Sequence, residues 1–87
     1  MKIKPDFILT QLGGESIVVA AGEASTTFNG MIRLNPTAVC IWRCLEVGKS
    51  LEEVVDTVVD DFEVSKEQAL LDVEGFIGEL QEVTILE

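Results

Sequence analysis

Met31-Ile32-Arg33-Leu34-Asn35-Pro36-Thr37-Ala38 is the stretch that decides the fold. Its first half reads as a short strand, with Ile32 and Leu34 on one face and Met31 and Arg33 on the other. Asn35 is an N-cap residue, and Pro36 follows at the first helical position, where a missing N–H costs nothing. A strand therefore runs into a helix with no linker between them.

Upstream of this junction the chain is β-rich. Residues 7–12 read Phe-Ile-Leu-Thr-Gln-Leu and 16–21 read Ser-Ile-Val-Val-Ala-Ala, with Gly13-Gly14-Glu15 between them. Two such runs around a short glycine turn predict a hairpin. Residues 22–30 are small and polar apart from Phe28 and read as a loop. Downstream the chain is helical. The first long helix runs from Pro36 to about Val47, and Gly48 is its stop. Ser50-Leu51-Glu52-Glu53 has the capping-box pattern and opens a helix over 51–62, with Leu51, Val54, Val55, Val58, Val59 and Phe62 at helical spacing. Valines are mediocre helix formers, so packing must hold this segment. Ser65-Lys66-Glu67-Gln68 repeats the cap and opens a third long helix over 66–82. Ala69, Leu70, Val73, Phe76, Ile77, Leu80 and Val83 share one broad arc of it. Strands segregated before helices predict an α+β fold: a three-stranded antiparallel N-terminal sheet followed by three helices. Trp42, Ile41, Leu45, Val55, Val58, Phe62, Val73 and Leu80 are the expected core, and Thr84-Ile85-Leu86 reads as a short extended end.

With 87 residues, a single domain over 1–87 is expected, burying ~60–65% of its unfolded surface. No apolar run nears the ~20 residues of a membrane span, and the N-terminal residues lack a signal-peptide core, so a cytoplasmic protein is expected. The net charge of −10 is unevenly spread. Residues 1–44 sum to +1 and residues 45–87 to −11. Nucleic-acid binding requires cations that displace phosphate counterions, and the helical half has the opposite sign.

Chemistry-bearing residues are sparse. The chain has no histidine and two cysteines, Cys40 and Cys44, which share roughly one helix face. A structural zinc site wants four ligands, so the pair reads more simply as small apolar residues in or near the core. Glu52, Glu53, Asp56, Asp60, Glu67, Glu74 and Glu82 fall opposite the apolar stripes, as solvated helix faces do. No phosphate-binding loop and no nucleophile beside a base is present. The expectation is no catalysis, no metal and no cofactor.

A surface argument remains. The third strand would lie at a sheet edge with only Arg33 as a protecting charge. If helix 66–82 lies beside it, the two enclose a groove that suits an extended peptide added as a further strand. A proline at position 32 would then weaken binding if the Ile32 N–H faces the peptide.

The run Phe28-Asn29-Gly30-Met31-Ile32-Arg33-Leu34-Asn35-Pro36-Thr37-Ala38, followed by Ile41-Trp42, Leu45, an acidic second helix and then Val73, Phe76, Ile77 and Leu80, resembles the PqqD family. That family is named for a pyrroloquinoline quinone biosynthesis protein, and the resemblance extends from Phe7 to Leu86. It implies three strands with a winged-helix-like trio of helices, and a non-catalytic peptide chaperone. Such a protein binds the leader of a ribosomally made precursor against its third strand, in a groove with its last long helix. It presents that leader to a modifying enzyme, often a radical S-adenosylmethionine enzyme. Carried onto this sequence, the resemblance implies peptide-binding residues Met31, Ile32, Arg33, Leu34, Leu70, Asp72, Val73, Phe76, Ile77 and Leu80, with the stripe on the last helix also serving the core. The competing readings are a winged-helix DNA-binding module, which the acidic helices oppose, a thiol redox protein using Cys40 and Cys44, and a homodimer pairing through the same strand edge.

Overall fold

The computed structural model describes residues 2–27 and 30–86. Phe28 and Asn29, which belong to the family-like run, lie outside the described residues. Gly13 and Gly14 both adopt positive φ, 58° and 82°, the conformation a two-residue hairpin turn requires. The turn joins β1 (Phe7–Leu12) to β2 (Glu15–Ala20), with Leu12 opposite Glu15. So tight a turn brings Glu15 into β2, one residue earlier than the sequence predicts. β3 (Met31–Leu34) pairs antiparallel with β2, which gives the sheet order β1-β2-β3.

The first part of the expected loop, residues 22–27, is less irregular than predicted. A one-turn helix, α1 (Ala24–Thr27), stands there. The C=O of Gly22 accepts both the Ser25 N–H at 3.2 Å and the Ser25 hydroxyl at 2.7 Å, which closes a helical turn that local periodicity cannot announce.

The three long helices begin where their caps dictate. Asn35 Oδ1 accepts from the Ala38 N–H at 2.8 Å and opens α2 (Pro36–Glu46). Gly48, at φ 79°, ends it one residue beyond the Val47 cap. Both halves of the Ser50/Glu53 capping box form at the start of α3 (Leu51–Phe62): Ser50 Oγ accepts from Glu53 N–H at 3.2 Å, and Glu53 Oε1 accepts from Ser50 N–H at 2.9 Å. That backbone donor holds the Glu53 carboxyl below the ordinary carboxylate range. Ser65 Oγ accepts from Gln68 N–H at 3.1 Å and opens α4 (Lys66–Glu82).

The helices bury one shared core against the inner face of the sheet. Trp42, fully buried, sits with Ile41 and Leu45 of α2, Val54, Val55 and Val58 of α3, Ala69, Val73, Ile77 and Leu80 of α4, and Val18 and Leu34 of the sheet. Of the expected core residues only Phe62 is half-buried, packed on the rim. Ile85 and Leu86 are also buried, because the chain returns to the N-terminal segment: Lys4 N–H donates to Ile85 C=O at 2.8 Å, and Ile3 bridges to Leu86.

Candidate functional site

The hydrogen-bond alternation of the sheet fixes which main-chain groups stay open. Ala21 N–H donates to Asp6 C=O at 2.7 Å. In an antiparallel ladder bonded and non-bonded pairs alternate, so Ile8–Val19, Thr10–Ile17 and Leu12–Glu15 are the bonded pairs of β1 and β2. Odd-numbered residues of β2 therefore turn their N–H and C=O toward β1, and even-numbered ones toward β3. Across the second ladder, Ser16–Leu34 and Val18–Ile32 are bonded. The N–H and C=O of Met31 and Arg33 consequently point away from the sheet, at its open edge. This corrects the expectation attached to position 32, whose N–H is spent within the sheet; the edge donor to probe is that of Arg33.

Beyond this edge lies a groove of about 360 Å³. Ile32 and Arg33 form one wall, Asn35, Thr37, Ala38 and Ile41 the floor, and Leu71, Asp72, Gly75, Phe76 and Glu79 of α4 the other wall. The groove exists because β3 runs straight into α2 through the Asn35 cap, so strand edge and helix N-terminus share one concavity. A second depression of about 750 Å³ continues past the end of the strand, along Gly14, Glu15, Ser16, Leu34, Pro36 and Val39.

The sequence-derived residues divide in this geometry. Ile32, Arg33, Asp72 and Phe76 line the groove together. Met31 is 54% exposed, on the outer sheet face in a row with Val19 and Ile8, and contributes its main chain to the edge. Leu34 is buried and lines the second depression rather than the groove. Val73, Ile77 and Leu80 are buried in the core, and Leu70 is exposed outside the groove lining. Leu71, Gly75 and Glu79 belong to the wall and were not anticipated. Two signals pointed to them. Leu71 is a leucine off the core arc, left 66% exposed, and Gly75 is a helix-weakening residue with no local reason to be there.

The charged groups of the groove are few. Arg33 pairs with Glu15 at 3.2 Å, both well exposed. Asp72 accepts a hydrogen bond from Gln68 Nε2 at 2.9 Å. The cysteines lie apart from the groove. Cys44 is buried, while the half-buried Cys40 thiol donates to Asp61 Oδ2 at 3.6 Å. Burial first, then Cys44 and Asp61, push the Cys40 thiol up to about 11, the opposite of a reactive cysteine. Among the described residues no group of three or more His, Cys, Asp or Glu side chains is arranged to hold a metal. No helix among them is long and apolar enough to cross a membrane. α4, which would have to be the reading helix of a DNA-binding module, carries Lys66 as its one cation.

Residues 8–86 match the model of the family of coenzyme PQQ synthesis protein D (PqqD). No curated protein matches the chain. Among solved structures, TbiB1 in complex with the TbiA(beta) leader peptide superposes with a TM-score of 0.81 at 25% identity, covering 100% of this chain and 95% of that one. Lasso peptide synthetase B1 complexed with the leader peptide superposes with a TM-score of 0.75 at 22% identity, over 93% and 89% of the two chains. The latter is a likeness of fold.

Proposed function

The chain belongs to the PqqD family, and from that premise we propose that it binds the leader segment of a precursor peptide and presents it to a modifying enzyme. It adds the leader as a strand to the open edge of β3, in the groove with α4, and has no catalysis of its own. The observation that carries this reading is the edge itself: the N–H and C=O of Met31 and Arg33 are directed outward, opposite a helix wall, with a concavity between. An unpaired strand edge is a template for another chain, and strand addition supplies affinity through main-chain bonds while pockets for alternate side chains supply selectivity. The TbiB1 complex, similar over this whole chain, holds a leader peptide, which supports the same use here. Ile32, Asp72 and Phe76 are the proposed contact side chains, joined by Leu71, Glu79 and the main chain of Gly75, while Arg33 offers its main chain at the edge. The enzyme that receives the peptide is of a class that modifies ribosomal peptides, a radical S-adenosylmethionine enzyme being the family-typical case.

The test is an NMR titration of the chain with a leader peptide encoded beside it. Amide shifts are expected to concentrate on residues 30–35 and 71–79. Shifts confined to β1, β2 or α3 in a saturable complex would overturn the proposal.

A further inference from the structure

The groove wall of α4 has a charge pattern that specifies more than an extended peptide. Asp72, Phe76 and Glu79 fall on one helix face, at spacings of four and three residues, and so stand one above another along the wall. The aromatic ring is the middle member, facing Ile32 and Ile41 across the groove. Arg33 is the one cation among the described residues of the lining, and it lies on the outer sheet face in its ion pair with Glu15. The side chains that a bound strand turns toward α4 therefore meet two carboxylates flanking an apolar centre, with no cationic side chain among the described lining residues turned toward them.

We propose that the peptide this groove takes is a cationic one of alternating pattern, in which a basic residue, an apolar residue and a second basic residue occupy every other position. The spacing fits. Asp72 and Glu79 are separated by about 10 Å along the helix axis at ~1.5 Å per residue. The two basic positions, four residues apart on a strand, lie ~13 Å apart, and flexible lysine or arginine arms take up the difference. The apolar residue between them meets Phe76, Ile32 and Ile41. Gly75 leaves room beside Phe76, since a Cβ added there would touch nothing within 4 Å. Asp72 keeps acceptor capacity beyond the Gln68 bond, as a carboxylate has about four lone-pair sites. This inference rests on strand addition at β3 and adds the chemistry of the ligand.

The experiment uses the full chain and three fluorescein-labelled peptides: Ser-Lys-Thr-Leu-Thr-Lys-Ser, and versions in which both lysines become serine or glutamate. Anisotropy gives Kd, and amide shifts give the location. The lysine peptide is expected to bind tightest and the glutamate peptide about tenfold weaker, the scale of two partly exposed charge pairs. That gap narrows as salt is raised. In the Asp72→Asn/Glu79→Gln variant the gap is expected to fall below about threefold, and in Asp72→Lys/Glu79→Lys to reverse, with the denaturant midpoint of each variant near that of the parent. Equal affinity for the three peptides, with shifts at residues 31–35 and 71–79, would overturn the charge pattern and leave strand addition standing. Absence of shifts in those residues with every peptide at millimolar concentration would overturn both.

Discussion

Gly75→Leu separates folding from binding, because the two are expected to move in opposite directions. Glycine inside a helix is about 0.8–1.0 kcal/mol less favourable than alanine, and leucine is close to alanine. A Cβ at position 75 meets no atom within 4 Å, so no clash offsets the gain. Stability is expected to rise by about 0.5–1 kcal/mol and Tm by about 2–8 °C. Gly75 lines the groove, so the same side chain is expected to occupy part of it. A micromolar leader complex corresponds to about −8 kcal/mol, and ordering an unfolded leader costs ~2–5 kcal/mol, so the contacts must total roughly 10–13 kcal/mol. The N–H and C=O groups of Met31 and Arg33 supply about 2–6 kcal/mol of this at ~0.5–1.5 kcal/mol per bond. The remainder, roughly 4–11 kcal/mol, requires about 150–450 Å² of apolar burial at ~25 cal/mol per Å². Losing one anchor side chain from the groove removes about 1.5–3 kcal/mol, so Kd is expected to rise by at least about tenfold. Calorimetric Tm and a titration with the leader read the two effects separately. A variant with raised Tm and a Kd within about twofold of the parent would refute the groove as the binding site. A lowered Tm would refute the claim that the recess is open.

Three further outcomes follow from the geometry. Arg33→Pro removes an edge N–H and is expected to weaken leader binding with the sheet intact, Arg33→Ala serving as the control for the lost Glu15 ion pair; Ile32→Pro breaks the ladder to Val18 and is expected to lower the denaturant midpoint instead. Trp42→Ala is expected to cost roughly 3–5 kcal/mol in urea unfolding, and Trp42→Phe clearly less, since it also removes a buried indole N–H that has no hydrogen-bond partner; equal midpoints for Trp42→Ala and the parent would place the ring at the surface. Cys40 is expected to alkylate slowly at pH 8 and faster as the pH approaches about 11, with Asp61→Asn accelerating the reaction. Its folded pKa is raised, so the stability linked to it is present below the unfolded thiol pKa and is lost as pH climbs through about 11; rapid labelling at pH 8 would contradict this.

The sequence carried the architecture through its punctuation. Asn35-Pro36, Ser50 with Glu53, Ser65 and Gly48 each act over a few residues, so the helix boundaries were legible, and the valine stripe of α3 announced its dependence on packing. The site was legible on one side. β3 identified itself as an exposed edge, whereas the phase of α4 did not: Val73, Ile77 and Leu80 form the stripe with the strongest apolar signal, and the core takes it. The groove wall lies about one residue around the helix, at Leu71, Asp72, Gly75, Phe76 and Glu79, and its mixture of leucine, glycine and carboxylates has no periodic signature. Which edge groups of β3 are open depends on the ladder parity, which is set by the pairing of Leu12 with Glu15 across the Gly13-Gly14 turn. That relation is long-range from β3, and no residue within the strand encodes it.

The edge of β3 offers groups that every residue except proline possesses. Substitutions at positions 31 and 33 can therefore accumulate without erasing the template for the proposed strand addition, whereas the features proposed to tell one partner from another stand on α4. There core and groove are separable at the carboxylates, because Ala69, Val73, Ile77 and Leu80 hold the core, Phe76 packs on it while lining the groove, and Asp72 and Glu79 face the groove alone. On the proposed binding mode, selection or an engineer can rewrite Asp72 and Glu79 without renegotiating the fold, and the peptide accepted is expected to change with them.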